Sequence, residues 1–215
     1  EVSEKYQLPA AAILAIAGLE SGYGSGYVSQ VTGNILSLGA FSNDKELPPL
    51  YLPYSSALKK VVFDPVIIKQ QGDADLKWKQ RPKSLKRDYR QSPYAGTTKN
   101  LELLSYNKKM KSKARKANLE DFATRWIVVT SKVDAFRGAR LWLDKIVLKN
   151  GTSGLYNKAI NNDFIGKIGG HPRSFNHRET WPKKVKLIMR KAGLVTLVND
   201  IKNNGLSFNE AWKKL

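Results

Sequence analysis

The sequence predicts an α+β protein, mainly α. A helical lobe is built from both ends of the chain, and an irregular, strand-containing lobe is inserted between them. Three observations lead there. Residues 10–17 form an apolar run that glycines at 22, 24 and 26 bring to an end. Helical spacing returns over 118–149 and in the stretches after 162, 179 and 207. Between them, Pro48-Pro49, Pro53, Pro65, Pro82 and Pro93, with Gly72 and Gly96, punctuate residues 41–100 and argue against long helices. At 215 residues the chain can bury a substantial core. The expected organisation is one domain over 1–215, with 1–40 and 118–215 forming the helical lobe and 41–117 the insertion.

Each element has its own warrant. Pro9 and Gly22/Gly24 bracket the first helix. Asn34-Ile35-Leu36-Ser37-Leu38-Gly39 is a short apolar stretch between glycines. In the insertion, Val61-Val62-Phe63 and Val66-Ile67-Ile68 are the expected buried pieces, and the basic stretch from Lys77 to Arg90 is expected at the surface. Leu119, Phe122, Trp126 and Val129 fit one helical face. Phe136, Ala139, Leu141, Trp142 and Ile146 fit a second helix, with Asp134 near its start and Lys149-Asn150-Gly151 as its stop. Asn162-Asp163 reads as the cap of a short helix through Ile168, ended by Gly169-Gly170-His171-Pro172. Glu179-Thr180-Trp181-Pro182 opens the next, with Val185, Leu187, Ile188 and Met189 as apolar positions. A last helix runs from an N-cap at Ser207 through Trp212.

Lys and Arg number 37 against 18 Asp and Glu, a net charge of +19. Such an excess attracts a polyanion, either nucleic acid or the carboxylates and phosphate-rich polymers of a bacterial envelope. Part of it is local. Lys108-Lys109-Met110-Lys111-Ser112-Lys113-Ala114-Arg115-Lys116 is nearly all basic and reads as a solvated loop or helix face, or as a contact for such a partner. Cysteine is absent, which excludes disulfides and thiolate metal sites. No apolar run reaches the roughly twenty residues of a membrane span. The chain opens at Glu1 without a basic and an apolar leader region, so a removed leader, another export route and no export all stay open.

The most informative stretch is Gly18-Leu19-Glu20-Ser21-Gly22-Tyr23-Gly24-Ser25-Gly26. It puts one acid, Glu20, at the end of an apolar helix and before a turn. A helix C-terminus disfavours a carboxylate, and violations of local rules concentrate at functional sites. Partial burial at the edge of a core raises a carboxyl pKa and lets the group donate a proton near neutral pH, as a glycosidase's general acid must. The alternative is a polar residue at an ordinary helix end.

Residues 6–40, from Tyr6-Gln7-Leu8-Pro9 through Glu20-Ser21-Gly22-Tyr23-Gly24 to Asn34-Ile35-Leu36-Ser37-Leu38-Gly39, resemble the N-terminal signature of the glucosaminidase family of peptidoglycan hydrolases. There an apolar helix ends in Glu-Ser-Gly-Trp/Tyr-Gly, and an Asn-Leu-Phe-Gly-Ile-like segment comes next. Phe164-Ile165-Gly166-Lys167-Ile168-Gly169-Gly170, then Thr180-Trp181-Pro182-Lys183-Lys184-Val185, is similar to the family's closing loop and helix. Asp121-Phe122-Ala123-Thr124-Arg125-Trp126 is similar to its Phe-Arg-x-Tyr strand-to-helix junction. Together these cover about half the chain. Ile35-Leu36-Ser37-Leu38 departs from Leu-Phe-Gly-Ile, and Phe175 stands near where the family has a cleft tyrosine.

The resemblance implies a lysozyme-like fold and hydrolysis of the β-1,4 bond after N-acetylglucosamine, with Glu20 protonating the leaving oxygen. A second group must stabilise the charge that develops at the anomeric carbon: a distant carboxylate activating water, a close one acting as nucleophile, or the substrate's own acetamido group. Glu102, in Asn100-Leu101-Glu102-Leu103-Leu104-Ser105-Tyr106, is the first candidate for that carboxylate, with Asp44 and Glu46 next. Substrate-binding candidates are Tyr23 and Tyr106; Asn34, which alternatively fixes a turn; Phe175; and Trp181, which alternatively packs its helix. His171 and His177 lack an adjacent carboxylate pair, so neither a metal nor a cofactor is expected. Peptidoglycan strands and anionic wall polymers are the expected partners, outside the cytoplasm or on a phage particle. A muramidase or lytic transglycosylase on the same fold, and a non-enzymatic polyanion-binding module, are the competing readings.

Overall fold

The protein is mainly helical. The computed structural model describes residues 1–41, 51–62, 70, 76–80 and 107–215. Phe63, Val66-Ile67-Ile68 and the Lys77–Arg90 stretch beyond Gln80 lie outside the described residues. In chain order the elements are α1 (Val2–Lys5), α2 (Ala10–Ser21), α3 (Tyr27–Thr32), β1 (Tyr51–Ser55), β2 (Lys60–Val61), β3 (Leu76–Gln80) and α4 (Lys108–Asp121). A π-helical turn (Phe122–Trp126) comes next, then α5 (Asp134–Asn150), a 3₁₀ turn (Thr152–Tyr156), α6 (Lys158–Ile168), α7 (Trp181–Lys191), α8 (Leu194–Lys202) and α9 (Phe208–Lys213). The sequence reading did not assign α1, α3 or α8.

Two compact units divide these elements. One joins Glu1–Leu19 to Glu120–Leu215, and the other is Glu20–Leu119. The middle unit therefore takes in residues 20–40, which the sequence reading placed with the helical lobe. Two buried amides account for the difference. Asn118 of α4 accepts from the Leu36 N–H at 3.1 Å and donates to Asn34 Oδ1 at 3.1 Å. These bonds tie the 34–36 segment to α4.

In the unit formed by both chain ends, α2 is buried almost all round: Ala11, Ala12, Ile13, Ala15 and Ile16 are buried and only Leu14 is well exposed. Its first turn has no intrahelical acceptor for its N–H groups. Asn161, fully buried in α6, supplies one, its Oδ1 accepting from the Ala12 N–H at 2.9 Å. The Asn161 amide donates to Leu155 O (2.9 Å) and Asn157 O (2.8 Å). Asn157 itself caps α6, accepting from the Ala159 N–H at 2.7 Å. Asn162 and Asp163 thus lie inside the helix rather than at its cap.

Helical periodicity explains which apolar residues reach the core. In α5 the buried stripe is Phe136, Ala139 and Leu143, one face at 3.6 residues per turn. Leu141 projects from the other side and is exposed, against the sequence expectation. In α7 the stripe is Trp181, Val185 and Met189, while Leu187 is exposed. Phe122 and Trp126 are buried as expected, but Val129 is exposed. The cause is local: the helix closes in a π turn, the Ile127 N–H bonding back to Phe122 O at 3.0 Å, and Val129 lies in the non-helical turn beyond it. Residues 121–126 are helical throughout, with no strand at this junction. At α9 the Ser207 hydroxyl accepts from the Glu210 N–H and the Glu210 carboxylate accepts from the Ser207 N–H, a complete capping box. Those bonds hold the Glu210 pKa below its ordinary value.

In the middle unit, β1 pairs antiparallel with β2 and β3 in the order β2-β1-β3, with Tyr54 opposite Val61 and Pro53 opposite Trp78. β2 reaches only Tyr54 and Ser55, so Pro53 sits where β1 has one neighbour, as a residue without an N–H requires. Val62, just beyond β2, is buried. Asn107 starts α4 by accepting from the Met110 N–H at 3.0 Å. Its apolar face carries Met110, Ala114 and Ala117.

Gly169 shows how closely α7 is packed. A Cβ there would lie 2.3 Å from Trp181 Cζ3. Gly169→Ala must displace a buried indole and is expected to cost about 1–3 kcal/mol, as overpacking does. Thermal unfolding of the variant checks this, with Gly166→Ala, where a Cβ meets nothing within 4 Å, as the matched control.

Candidate active site

Glu20 is the penultimate residue of α2 and is half-buried. A tightly pinned loop comes directly after it. Gly22, Tyr23 and Gly24 are successive residues at positive φ (56°, 57° and 77°), which stops the helix at Ser21. Ser21 is buried and closes the loop twice: its Oγ accepts from the Gly24 N–H at 2.7 Å and its carbonyl accepts from the Gly26 N–H at 2.9 Å. A Cβ on Gly26 would sit 2.9 Å from that same carbonyl oxygen, so only glycine permits the approach. The Glu-Ser-Gly-Tyr-Gly-Ser-Gly string is thus a turn whose small residues each have a steric or hydrogen-bonding reason.

Two cations from α4 hold the loop. Gly24 O accepts from Gln30 Nε2 at 2.5 Å and from Arg115 Nη2 at 3.2 Å. Gln30 Oε1 in turn accepts from Lys111 Nζ at 2.8 Å. Burial, then the charges of Arg115 and Lys108, pull the Lys111 pKa below the usual lysine value. The basic run therefore divides in two. Lys111 and Arg115, four residues apart on one helical face, turn towards the loop. Lys108, Lys109 and Lys113 stay exposed. The run is helical, so of the loop and the helix face that the sequence left open it is the helix face.

Asn34 is buried and fixes a turn. Its Oδ1 accepts from the Leu38 N–H (3.0 Å) and from Asn118, and its Nδ2 donates to Leu38 O (3.0 Å). Leu36 and Leu38 are buried as that turn closes. Tyr23 is 74 % exposed, at the tip of the loop after Glu20. Glu20, Tyr23 and Asn34 share the middle unit. Phe175 and Trp181 belong to the other unit, where Phe175 packs edge-on to Phe122 (5.8 Å between centroids) and tilted against Trp181 (5.4 Å). Trp181 is only 3 % exposed. Of its two roles packing is the one its burial supports, and it has no open ring face for a sugar. Glu102, Tyr106, Asp44 and Glu46 lie outside the described residues.

Sequence reasoning missed Ser21, Gln30, Lys111, Arg115 and Asn118 as parts of this arrangement. The four-residue spacing of Lys111 and Arg115 was the available signal, hidden inside a run where nearly every side chain is basic. Among the described residues no three His, Asp or Glu side chains converge on a point where a metal ion could bind, and no described helix is long and apolar enough to cross a membrane. No protein-family model, curated protein or solved structure matches this chain.

Proposed function

We propose that this chain is a peptidoglycan hydrolase that cleaves the β-1,4 bond after N-acetylglucosamine, with Glu20 as the general acid. The observation that carries the reading is the setting of Glu20: a half-buried carboxyl on the last turn of a buried helix, leading into a loop that Ser21, Gln30 and Arg115 hold in one conformation. A general acid must be fixed to within a few tenths of an ångström of the leaving oxygen. The bonds of the loop directly after Glu20 fix the backbone at that end of the helix, which supports the reading. The helical class and the small antiparallel sheet in the middle of the chain are compatible with a lysozyme-like helical lobe carrying a β-containing insertion. That finer fold assignment belongs to the same proposal, as does a site of action outside the cytoplasm or on a phage particle.

The reading has a direct test. Digestion of purified peptidoglycan, with the muropeptides resolved by mass spectrometry, should leave N-acetylglucosamine at the new reducing end. N-acetylmuramic acid there, or an anhydro product, would instead assign the chain as a muramidase or lytic transglycosylase. No digestion would leave a polyanion-binding module.

Exposed Lys108, Lys109 and Lys113 serve to hold the enzyme on an anionic wall. They crowd the N-terminal turns of α4, where the helix dipole already disfavours cations, and a bound anion offsets that cost. Screening acts over about 8–10 Å at ordinary ionic strength, so wall binding should weaken steeply with salt while cleavage of a short soluble glycan changes little. Changing Lys108, Lys109 and Lys113 to Ser should reproduce the high-salt behaviour at low salt. Sedimentation of protein with purified walls across a salt series checks it, and tight wall binding by the variant would reduce the run to a solvated face.

A further inference from the structure

A cavity of about 630 Å³ lies in the unit formed by both chain ends, among α6, α7 and the start of α8. That volume is in the ordinary range of small-molecule sites. None of its lining residues is one assigned above to glycan cleavage. Four cations line it: Lys158 of α6 and Lys183, Lys186 and Arg190 of α7. No carboxylate is among the lining residues, and among the described residues none of the four is paired with an acid. Lys183, Lys186 and Arg190 stand three and four residues apart, so they share a helix face and repel one another. Gly193 begins α8 with no side-chain cap, leaving the positive end of that helix at the same cavity. The rest of the lining is mixed: Leu187, Met189 and Val195 are apolar, and Asn162 and Thr196 are polar.

We propose that this cavity binds an organic phosphate, with the phosphate among Lys158, Lys183, Lys186 and Arg190 and an apolar body against Leu187 and Val195. The charge arrangement suits a dianion better than a single carboxylate, and guanidinium and ammonium groups together are the usual partners of phosphate oxygens. The apolar wall distinguishes the site from a groove that merely tracks a charged polymer. A single-stranded nucleic acid is disfavoured because no aromatic side chain lines the cavity for bases to stack on.

Phenyl phosphate is the probe, titrated into the intact chain by calorimetry at low salt beside inorganic phosphate and phenol. Burying the ring should make phenyl phosphate bind about tenfold or more tightly than inorganic phosphate, and phenol should not bind measurably. The Lys183→Ser, Lys186→Ser, Arg190→Ser triple variant should lose about tenfold or more, since it removes three of the four charge-assisted partners of the phosphate. The triple change at Lys108, Lys109 and Lys113 should leave the affinity unchanged. The single Arg190→Ser change gives a second reading should the triple variant be poorly folded, and it should also weaken binding. Vesicles of phosphatidic acid distinguish the source. Co-sedimentation that the cavity variants abolish supports the proposal with a lipid headgroup as ligand. No co-sedimentation, with phenyl phosphate still bound, supports it with a soluble ester. Equal affinity for inorganic and phenyl phosphate overturns the proposal. So does equal loss from the two sets of lysine changes, or an oligonucleotide that binds more tightly than phenyl phosphate and loses that binding with the cavity changes. Each of these outcomes is independent of whether Glu20 cleaves glycans.

Discussion

On the proposed function, Glu20→Gln should lower the rate of glycan cleavage on the order of 10²–10⁴-fold, the usual cost of losing a general acid, and should leave the chain folded. The amide keeps the shape and length of the carboxyl and cannot donate its proton to a leaving oxygen. The stability result is as informative as the rate. Glu20 occupies the last turn of α2, where a carboxylate works against the helix dipole by about 0.3–1 kcal/mol. Removing the charge lifts that dipole cost, and a thermal melt shows whether the fold survives the change. Turbidity clearing of cell walls and a thermal melt measure the two quantities on one preparation. Near-parental clearing removes Glu20 from the mechanism. The same assay tests the second group. Loss of activity in Glu102→Gln, with wall binding retained, assigns the second carboxylate. Loss in Asp44→Asn or Glu46→Gln instead moves it to the start of the insertion. Full activity in all three favours assistance by the substrate's own acetamido group.

The parts of this architecture that local rules govern were legible in the sequence. The stop of α2 comes from glycines, the end of α5 from Asn150-Gly151, and the Ser207 cap from the Ser-x-x-Glu spacing to Glu210. Periodicity found the core stripes. In α5 the expectation counted Leu141 and left out Leu143, which lies seven residues from Phe136 and shares its face. The helix that ends at Trp126 has no glycine or proline after it to signal the stop, so Val129 was misplaced. Buried amides escaped for another reason. Asn118 sits in a helix that reads as basic and exposed, and Asn161 in one whose cap was expected at Asn162. Each acts on a partner far away in the chain, Leu36 or Ala12, and no local pattern announces such a partner. At the candidate site the position of Glu20 was legible. The support of its loop by Gln30 and Arg115 was not, because it depends on which face of α4 meets the loop.

Asn161→Ala should destabilise the unit formed by both chain ends by about 2–4 kcal/mol. The side chain is fully buried and makes three hydrogen bonds. Its removal strands the Ala12 N–H and the Leu155 carbonyl, both on buried residues, and each such neutral group costs roughly 1–2 kcal/mol, the lower part of the range for unsatisfied buried groups. Asn157 O keeps a partner in the Asn161 backbone N–H at 3.1 Å, which holds the total to two lost groups. For a chain of this length that corresponds to a fall in Tm of about 4–16 °C. Asn157→Ala is the comparison. It removes an exposed N-cap from the same helix and should cost only about 1 kcal/mol. Hydrogen exchange locates the effect: the Ala12 amide should exchange much faster in Asn161→Ala than in Asn157→Ala, because only the first variant takes away its acceptor. A melt of Asn161→Ala within a degree or two of Asn157→Ala would mean that water enters and replaces the lost bonds. The Ala12–Asn161 bond would then be a contact without a stabilising role, and burial of Ala11, Ala12, Ala15 and Ile16 alone would set the position of the helix that carries Glu20.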